Sequence, residues 1–493
     1  ADHVGLSPFV VEVPAQDTMH LTRTVVVLVD NRFDRRTHPV HQRHYDWYQA
    51  GGILRTVQYH VLPTAKLLYI AGVEVYPRSL SEVDVSVRLP GRATGRLGIT
   101  YRWIFSADGV VEEGTDCHGF SHWPVLELPS SGVVRATVPD ARTWSPSSPN
   151  LHRLRVALLE KSQDGGEHLL DCLHVRFGLR IVETKGREVR LNGEPIKLFG
   201  VNRHEMTDTP VVEYGELVRD VAILRTLNAN FVRGAHYAQD QRFLDLCDVH
   251  GILVWEEVLG WQNSATDFAD GVFMSQSLRM ADELASASAN HPCVIFYGFF
   301  NEGDSSDGSP TTAAAYAAMA AKLRERARGT KLISWGSIAG MDDKHLAYAD
   351  VCAFHAYPAW YPTTRPADLK VVQEIPLIWS TFAEWVRDTY PEKPFLITEA
   401  GAGGLFGHKG SSDVKWTEEY QSLVMQMHFL SVMRNPLVAG LALWQFADVP
   451  VDQNVSSEEH RPRGLNNKGV VGLNRQPKVS FQALRLLRHQ QAD

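Results

Sequence analysis

Two glutamates stand at the ends of apolar runs that read as β-strands. Glu302 closes Phe299-Phe300-Asn301-Glu302, and Glu399 closes Leu396-Ile397-Thr398-Glu399. Two carboxylates facing each other across a cleft are what cleavage of a glycosidic bond requires. One protonates the leaving oxygen, and the other attacks the sugar or activates water. The acid must keep its proton near neutral pH, through burial or a nearby like charge. The nucleophile must stay ionised. Two buried carboxylates in ordinary ion pairs are the other reading of the same residues.

The elements around them decide whether the pair can meet. From about residue 186 short apolar strands alternate with helical stretches. Strand-like segments fall at 197–202, 230–233, 252–255, 294–300, 332–335, 351–354, 395–398 and 441–446. Leu217, Val221, Leu224 and Leu227 share one face of an intervening helix. Another helix, 240–250, is stopped by Gly251. Eight strands alternating with helices predict a (β/α)8 TIM barrel, in which the strand C-termini carry the site. The polar residues there form one set: Arg203, His204 and Glu205; His236 and Tyr237; Glu256 and Glu257; Asn301 and Glu302; His355, Tyr357 and Trp360; Glu399; then Trp444 and Asp448. Glu302 and Glu399 then sit about three β/α units apart, on strands four and seven, across the barrel mouth.

Residues 1 to about 185 read differently. Segments such as 24–29 and 83–89 are rich in β-branched residues and are punctuated by Gly, Pro, Asp and Ser. This is the pattern of a β-sandwich. Pro139 to Pro149 reads as a loop between strands.

Composition narrows the function classes. The chain has 493 residues and a net charge of −8, from 49 Lys+Arg against 57 Asp+Glu. An acidic balance argues against nucleic acid as a partner. No apolar run approaches the ~18 residues of a membrane helix, so no membrane partner is expected. The five cysteines are spread thinly, without a metal-type spacing, and read as reduced thiols of a cytoplasmic protein. Twelve Trp, 15 Tyr, 20 Phe and 21 His suit an aromatic-lined cleft or a plain sandwich core.

Several motifs in order carry a family resemblance. Gly200-Val201-Asn202-Arg203-His204-Glu205, Asn301-Glu302 and Ile397-Thr398-Glu399 resemble the barrel signatures of glycoside hydrolase family 2, the group of β-glucuronidases, β-galactosidases and β-mannosidases. Residues 416–421 and 444–448 resemble stretches of the β-glucuronidase branch. Tyr45-Asp46-Trp47-Tyr48 with Gly51-Gly52-Ile53 resembles the sugar-binding domain's loop into the active site. Phe177-Gly178-Leu179-Arg180 and Leu191-Asn192-Gly193 resemble the junction before the barrel. The resemblance implies a multidomain chain: a partial jelly-roll sugar-binding domain at 1–65, an immunoglobulin-like β-sandwich at 66–185 and the catalytic TIM barrel at 186–493.

It further implies a retaining double displacement, with Glu302 as acid/base and Glu399 as nucleophile and no cofactor or catalytic metal. Asn301 would hold the substrate 2-hydroxyl and Asp46 a distal hydroxyl. Tyr361 and Trp444 would flank the nucleophile, with His204, His236, His355, Tyr357 and Trp360 lining the pocket. In Arg463-Gly464-Leu465-Asn466-Asn467-Lys468-Gly469, Asn466 and Lys468 would grip a sugar carboxylate, which needs a cation and a donor to enter a dry pocket. β-D-Glucuronides are therefore the first substrate expected, β-D-galactosides the second. A truncated carbohydrate-binding relative without turnover is the alternative from another class. The partner is a carbohydrate or glycoconjugate, and a homo-oligomer stays open.

The departures are specific. Gly303 stands where Pro usually follows the acid/base, which predicts a looser loop. Ala400 replaces an aromatic after the nucleophile. His355 stands where glucuronidases tend to have Asn. Residues 401–413, rich in Gly and Ser, are expected to be mobile. Only the last part of the family's jelly roll is expected before the sandwich.

Overall fold

The computed structural model describes residues 6–11, 24–30, 46–48, 50–58, 60, 68–89, 99–107, 120–126, 132–162, 164–206, 209, 211–451 and 460–490. Most of the jelly-roll stretch lies outside them. The expected strand at 24–29 is described, but it is exposed and forms no strand. β-Branched residues favour a pleated surface only when partners cover it, and no described strand does.

Two antiparallel sheets form the immunoglobulin-like sandwich. One holds Gly72–Pro77, Glu82–Arg88 and Val133–Thr137; the other holds Ile99–Ala107, Val125–Leu126, His152–Lys161 and Glu167–Phe177. The alternation Val83, Val85, Val87 points one face inward onto Trp103, Leu154, Val156 and Leu158. The segment expected as a plain loop, Pro139 to Pro149, instead anchors the sandwich to the barrel. Trp144 is fully buried there, and its indole N–H donates to the Asp248 carbonyl at 2.8 Å. Arg180 seals the same junction. Its guanidinium donates to the carbonyls of Pro292 (3.0 Å), Val294 (2.5 Å) and Thr330. Cys172, on the sandwich, is disulfide-bonded to a partner outside the described residues. This corrects the expectation of five reduced thiols; Cys247, Cys293 and Cys352 are free and buried.

The barrel has all eight expected strands: β1 Leu198–Arg203, β2 Phe231–Gly234, β3 Leu253–Glu257, β4 Val294–Gly298, β5 Leu332–Ser334, β6 Cys352–His355, β7 Phe395–Glu399 and β8 Val438–Leu443. They pair in parallel in the order β5-β4-β3-β2-β1-β8-β7-β6. Ser337 closes the ring between β5 and β6: its N–H donates to the Ala353 carbonyl at 2.9 Å, and its carbonyl accepts from His355 at 2.8 Å. The outer helices are α1 Tyr214–Thr226, α2 Gln241–His250, α3 Gly271–Ala287, α4 Pro310–Ala327, α5 Leu369–Thr389, α6 Glu418–Met433 and α7 Val479–His489. Asp240 caps the N-terminus of α2 through Arg242 N–H, and Gly251 ends it at φ 70°. That left-handed geometry favours glycine. After β5 the connection is two 3-10 turns, Gly340–Asp342 and Leu346–Tyr348, in place of a long helix. No described helix is long and apolar enough to cross a membrane.

Candidate active site

Arg233, the last side chain but one of β2, organises the barrel mouth. It is fully buried. Nε donates to Glu257 Oε1 at 2.8 Å, and Nη1 donates to Asn202 Oδ1 and Glu399 Oε1, each at 2.8 Å. Nη2 donates to Asn301 Oδ1 at 2.6 Å. One planar cation thus ties β1, β2, β3, β7 and the end of β4 together. Such a buried cation is tolerable only because its donors are matched. Asn202 is held in turn by its amide donating to the Thr398 carbonyl at 2.9 Å.

The two glutamates meet. One side-chain ligand atom each from Glu302, His355 and Glu399 lies within 4.8 Å of the other two. His355 Nδ1 is 3.0 Å from Glu302 Oε1 and 3.5 Å from Glu399 Oε1, so the imidazole bridges both carboxylates. Glu302 Oε2 accepts from Gln262 Nε2 at 3.1 Å. Glu399 Oε2 accepts from the Tyr357 hydroxyl at 2.6 Å. Burial is the largest effect on both carboxyls and pushes both above the usual carboxylate range. Arg233 opposes that rise at both carboxyls, joined by the Tyr357 hydroxyl at Glu399 and the Gln262 amide at Glu302. Glu302 receives direct contacts from the Gln262 amide and from His355. Burial pushes His355 down to about 4, so it is neutral near pH 7.

Asn301 turns its Oδ1 to Arg233 and leaves Nδ2 buried without a partner. That donor is free for a ligand hydroxyl. His236 Nδ1 is 3.1 Å from Glu257 Oε2, and Nε2 is 3.8 Å from Glu399 Oε1. Its ring stacks on Trp444 at 5.2 Å. His204 Nδ1 is 3.2 Å from the Tyr237 hydroxyl, and its Nε2 is buried and unpartnered. Burial holds both histidines neutral, well below the usual imidazole value.

A second group forms the adjoining wall. Trp47, buried, stacks on His204 at 5.0 Å and brings Asp46 to the barrel. Arg55 follows, donating to Glu205 Oε2 at 2.5 Å and the Ala238 carbonyl at 2.6 Å. Tyr45 lies outside the described residues. Asp46 is gripped in two-point fashion by Arg461, with Nε to Oδ1 at 2.8 Å and Nη2 to Oδ2. Burial raises the Asp46 carboxyl, but Arg461 and Lys468 outweigh it and the net shift is downward. Lys468 is buried, with Nζ 5.9 Å from the Tyr357 ring centroid and 5.4 Å from that of Tyr361. Among the described residues its hydrogen-bond acceptor is Asn466 Oδ1, at a long 3.4 Å. Trp360, expected in the pocket, is fully buried edge-on to Trp416 at 4.9 Å, and it supports Tyr361 from behind.

Two loop expectations are corrected. The Glu302–Gly303 turn is held, not loose: Gly303 N–H donates to the Phe300 carbonyl at 3.0 Å, and Glu302 N–H to that of Gly336 at 2.8 Å. Proline could not donate the first of these. A Cβ at position 303 would lie 2.8 Å from the Tyr316 hydroxyl. Residues 401–413 are pinned by α6: Glu418 accepts from Gly407 N–H (2.7 Å) and pairs with Lys409 (2.6 Å), and Glu419 accepts from Gly410 N–H (3.0 Å).

A family model described as Glycosyl hydrolases family 2, TIM barrel domain, matches residues 182–492. This chain belongs to glycosyl hydrolase family 2. It is 28% identical over 458 residues to a β-glucuronidase of Chlorocebus aethiops, covering 90% of this chain and 65% of that protein. Against the Homo sapiens β-glucuronidase it is 26% identical, covering 94% and 67%. The chain thus spans about 65% of the length of the first of these relatives. Among solved structures, a β-galacturonidase of this family from Eisenbergiella tayi, bound to galacturonate, superposes with a TM-score of 0.77 at 25% identity, covering 94% of this chain and 78% of that one. A β-D-glucuronidase from Dictyoglomus thermophilum shares the fold at a TM-score of 0.72 and 23% identity, covering 87% and 69%.

Within this family 2 barrel, sequence reasoning missed Arg233, Gln262 and Arg461, while Glu257 lies at the strand end expected of it. Arg233 had a usable signal: a cation closing the apolar strand Asn230-Phe231-Val232-Arg233. Gln262 and Arg461 lie in loops whose aim no periodicity reveals.

Proposed function

We propose that the chain is a retaining exo-β-glycosidase acting on terminal β-D-glucuronides. The observation that carries the reaction is the close pair Glu302 and Glu399, bridged by His355. Retaining enzymes hold their carboxyls about 5–5.5 Å apart, and inverting ones leave room for water at 6.5–9.5 Å; atoms within 4.8 Å fit the former. In the first step Glu399 attacks the anomeric carbon while Glu302 gives its proton to the leaving oxygen. Water then adds with Glu302 as base, releasing Glu399. Asn301 Nδ2 donates to the 2-hydroxyl, and Tyr357 and Arg233 steady the nucleophile. Asp46, oriented by Arg461, takes a distal hydroxyl.

Lys468 supports a uronic acid over a neutral galactoside. A buried ammonium with one long acceptor is a costly wall for an uncharged sugar and a strong one for a carboxylate. A β-D-galacturonide is the second reading, favoured by the likeness to the galacturonate-bound relative. The division at residues 65 and 185 belongs to the same proposal. The disulfide at Cys172 favours an oxidising compartment over the cytoplasm.

The test is hydrolysis of 4-nitrophenyl β-D-glucuronide followed by proton NMR. Retention predicts that the β-anomer of the free sugar appears first, before mutarotation. An α-anomer appearing first rejects the double displacement. No turnover on any uronide or galactoside would favour the binding-only relative.

A further inference from the structure

A cavity of about 550 Å³ opens beside Glu302. It is built from the loops after β3, β4 and β5, and Glu302 forms part of its wall. Lys468, Asn466 and Asp46 are not among its lining residues. If Glu302 protonates the leaving oxygen, the leaving group must sit against Glu302. The cavity is the space available there, and its volume lies within the ordinary small-ligand range of about 300–1,000 Å³.

The lining has a definite chemistry. Among the described residues no aromatic ring lines it, so a flat aryl aglycone finds no stacking surface there. Ile338, 56% exposed, is its one large apolar side chain. Ser264 and Ser306 offer hydroxyls. Asp304, which accepts from the Ser306 hydroxyl at 2.9 Å, and Asp342 bring negative charge, and no lysine or arginine lines the space.

We propose that this cavity is a leaving-group subsite for a hydroxyl-rich sugar, favouring a protonated amino sugar and excluding an anionic one. The proposal rests on Glu302 as the acid of a uronidase. Hydroxyls on the leaving sugar replace water on Ser264 and Ser306. A protonated amine meets Asp304 and Asp342, while a sulfate or carboxylate meets two like charges.

The test uses β-D-glucuronides that share one glycone and differ in leaving group: glucose, glucosamine, and N-acetylglucosamine 6-sulfate. Each kcat/KM is divided by the same enzyme's value on 4-nitrophenyl β-D-glucuronide. The wild type is expected to prefer the amine over the sulfate by about ten-fold at low salt, and Asp342→Asn to narrow that ratio about two- to five-fold. Added salt should narrow it too. An equal rate on amine and sulfate, or a ratio unmoved by Asp342→Asn, overturns the proposal. Inactivity on every glucuronide, the aryl one included, would sink the uronidase reading instead. Ligand-observed NMR titration of glucosamine and N-acetylglucosamine 6-sulfate then decides the subsite: selective amine binding weakened in Asp342→Asn upholds it, and equal binding rejects it.

Discussion

Replacing Lys468 with methionine removes a charge while keeping most of the side-chain stem. Nζ stands buried by the Tyr357 and Tyr361 rings and has one acceptor, Asn466 Oδ1, at 3.4 Å. A uronate bound against it is a charge-assisted pair in a dry site. Truncating one member of such a pair costs about 2–5 kcal/mol, because the other charge is left unpaired. At about 1.4 kcal/mol per decade, kcat/KM on 4-nitrophenyl β-D-glucuronide and β-D-galacturonide should fall between about 30-fold and several thousand-fold. The matching β-D-galactoside has no carboxylate, so its rate should hold or rise. The free protein should melt at the same temperature or slightly higher, since the ammonium has so little to lose. Rates are read with all three substrates, beside a thermal melt. An equal loss on uronide and galactoside with an unchanged melt would refute the carboxylate grip. A large drop in melting temperature would make Lys468 a structural residue.

Three further outcomes are expected. Glu302→Gln should lower turnover by about 10²–10⁴, least for acidic phenol leaving groups, which leave without a proton; a loss independent of leaving group would reject its role as acid. Arg233→Met should destabilise the fold by about 3–5 kcal/mol in urea titration, since it strands Glu257 and Glu399; a loss below 1 kcal/mol would reject its organising role. Burial pushes Glu256 up to about 7. The folded state then binds the proton more tightly than the unfolded one, so this contribution is present at low pH and is lost as pH rises from about 4.5 to 7. Its ceiling is about 3 kcal/mol, and Glu256→Gln should flatten that slope between pH 5 and 7.5.

What the sequence made legible follows from the range of each signal. The barrel strands declare themselves because both faces are buried, so apolar runs such as 294–298 are continuous, and polar residues follow at or just past their ends. Glu302, Asn301, His355, Tyr357 and Glu399 were readable for that reason. Arg461 and Gln262 were not. Arg461 reaches Asp46 across 415 positions of chain, and no local pattern encodes that distance. Trp360 misled in the opposite sense: an aromatic beside a strand end fits a sugar platform or a core, and its burial against Trp416 decides for core. The Gly303 turn shows the same limit, because its tie to Phe300 depends on a carbonyl placed by the fold.

The division of labour between the two carboxylates lies in what touches them rather than in the carboxylates themselves. Both are buried and both are pushed upward, so burial alone would leave them equivalent. Arg233 opposes the rise at both carboxyls, but it touches only Glu399, where it and the Tyr357 hydroxyl each donate a short hydrogen bond. Glu302 is in direct contact with the Gln262 amide and neutral His355, and Arg233 and Lys468 act on it without touching it. His355 touches both, so the proton's apparent affinity belongs to the pair and not to one member. An ester on Glu399 would remove its charge, and with it the repulsion that helps keep the proton on Glu302. Under the proposed double displacement, the group that gives a proton in the first step is thereby readied to accept one in the second. In that proposal the two glutamates supply the chemistry, and an arginine from a third strand holds one of them in place.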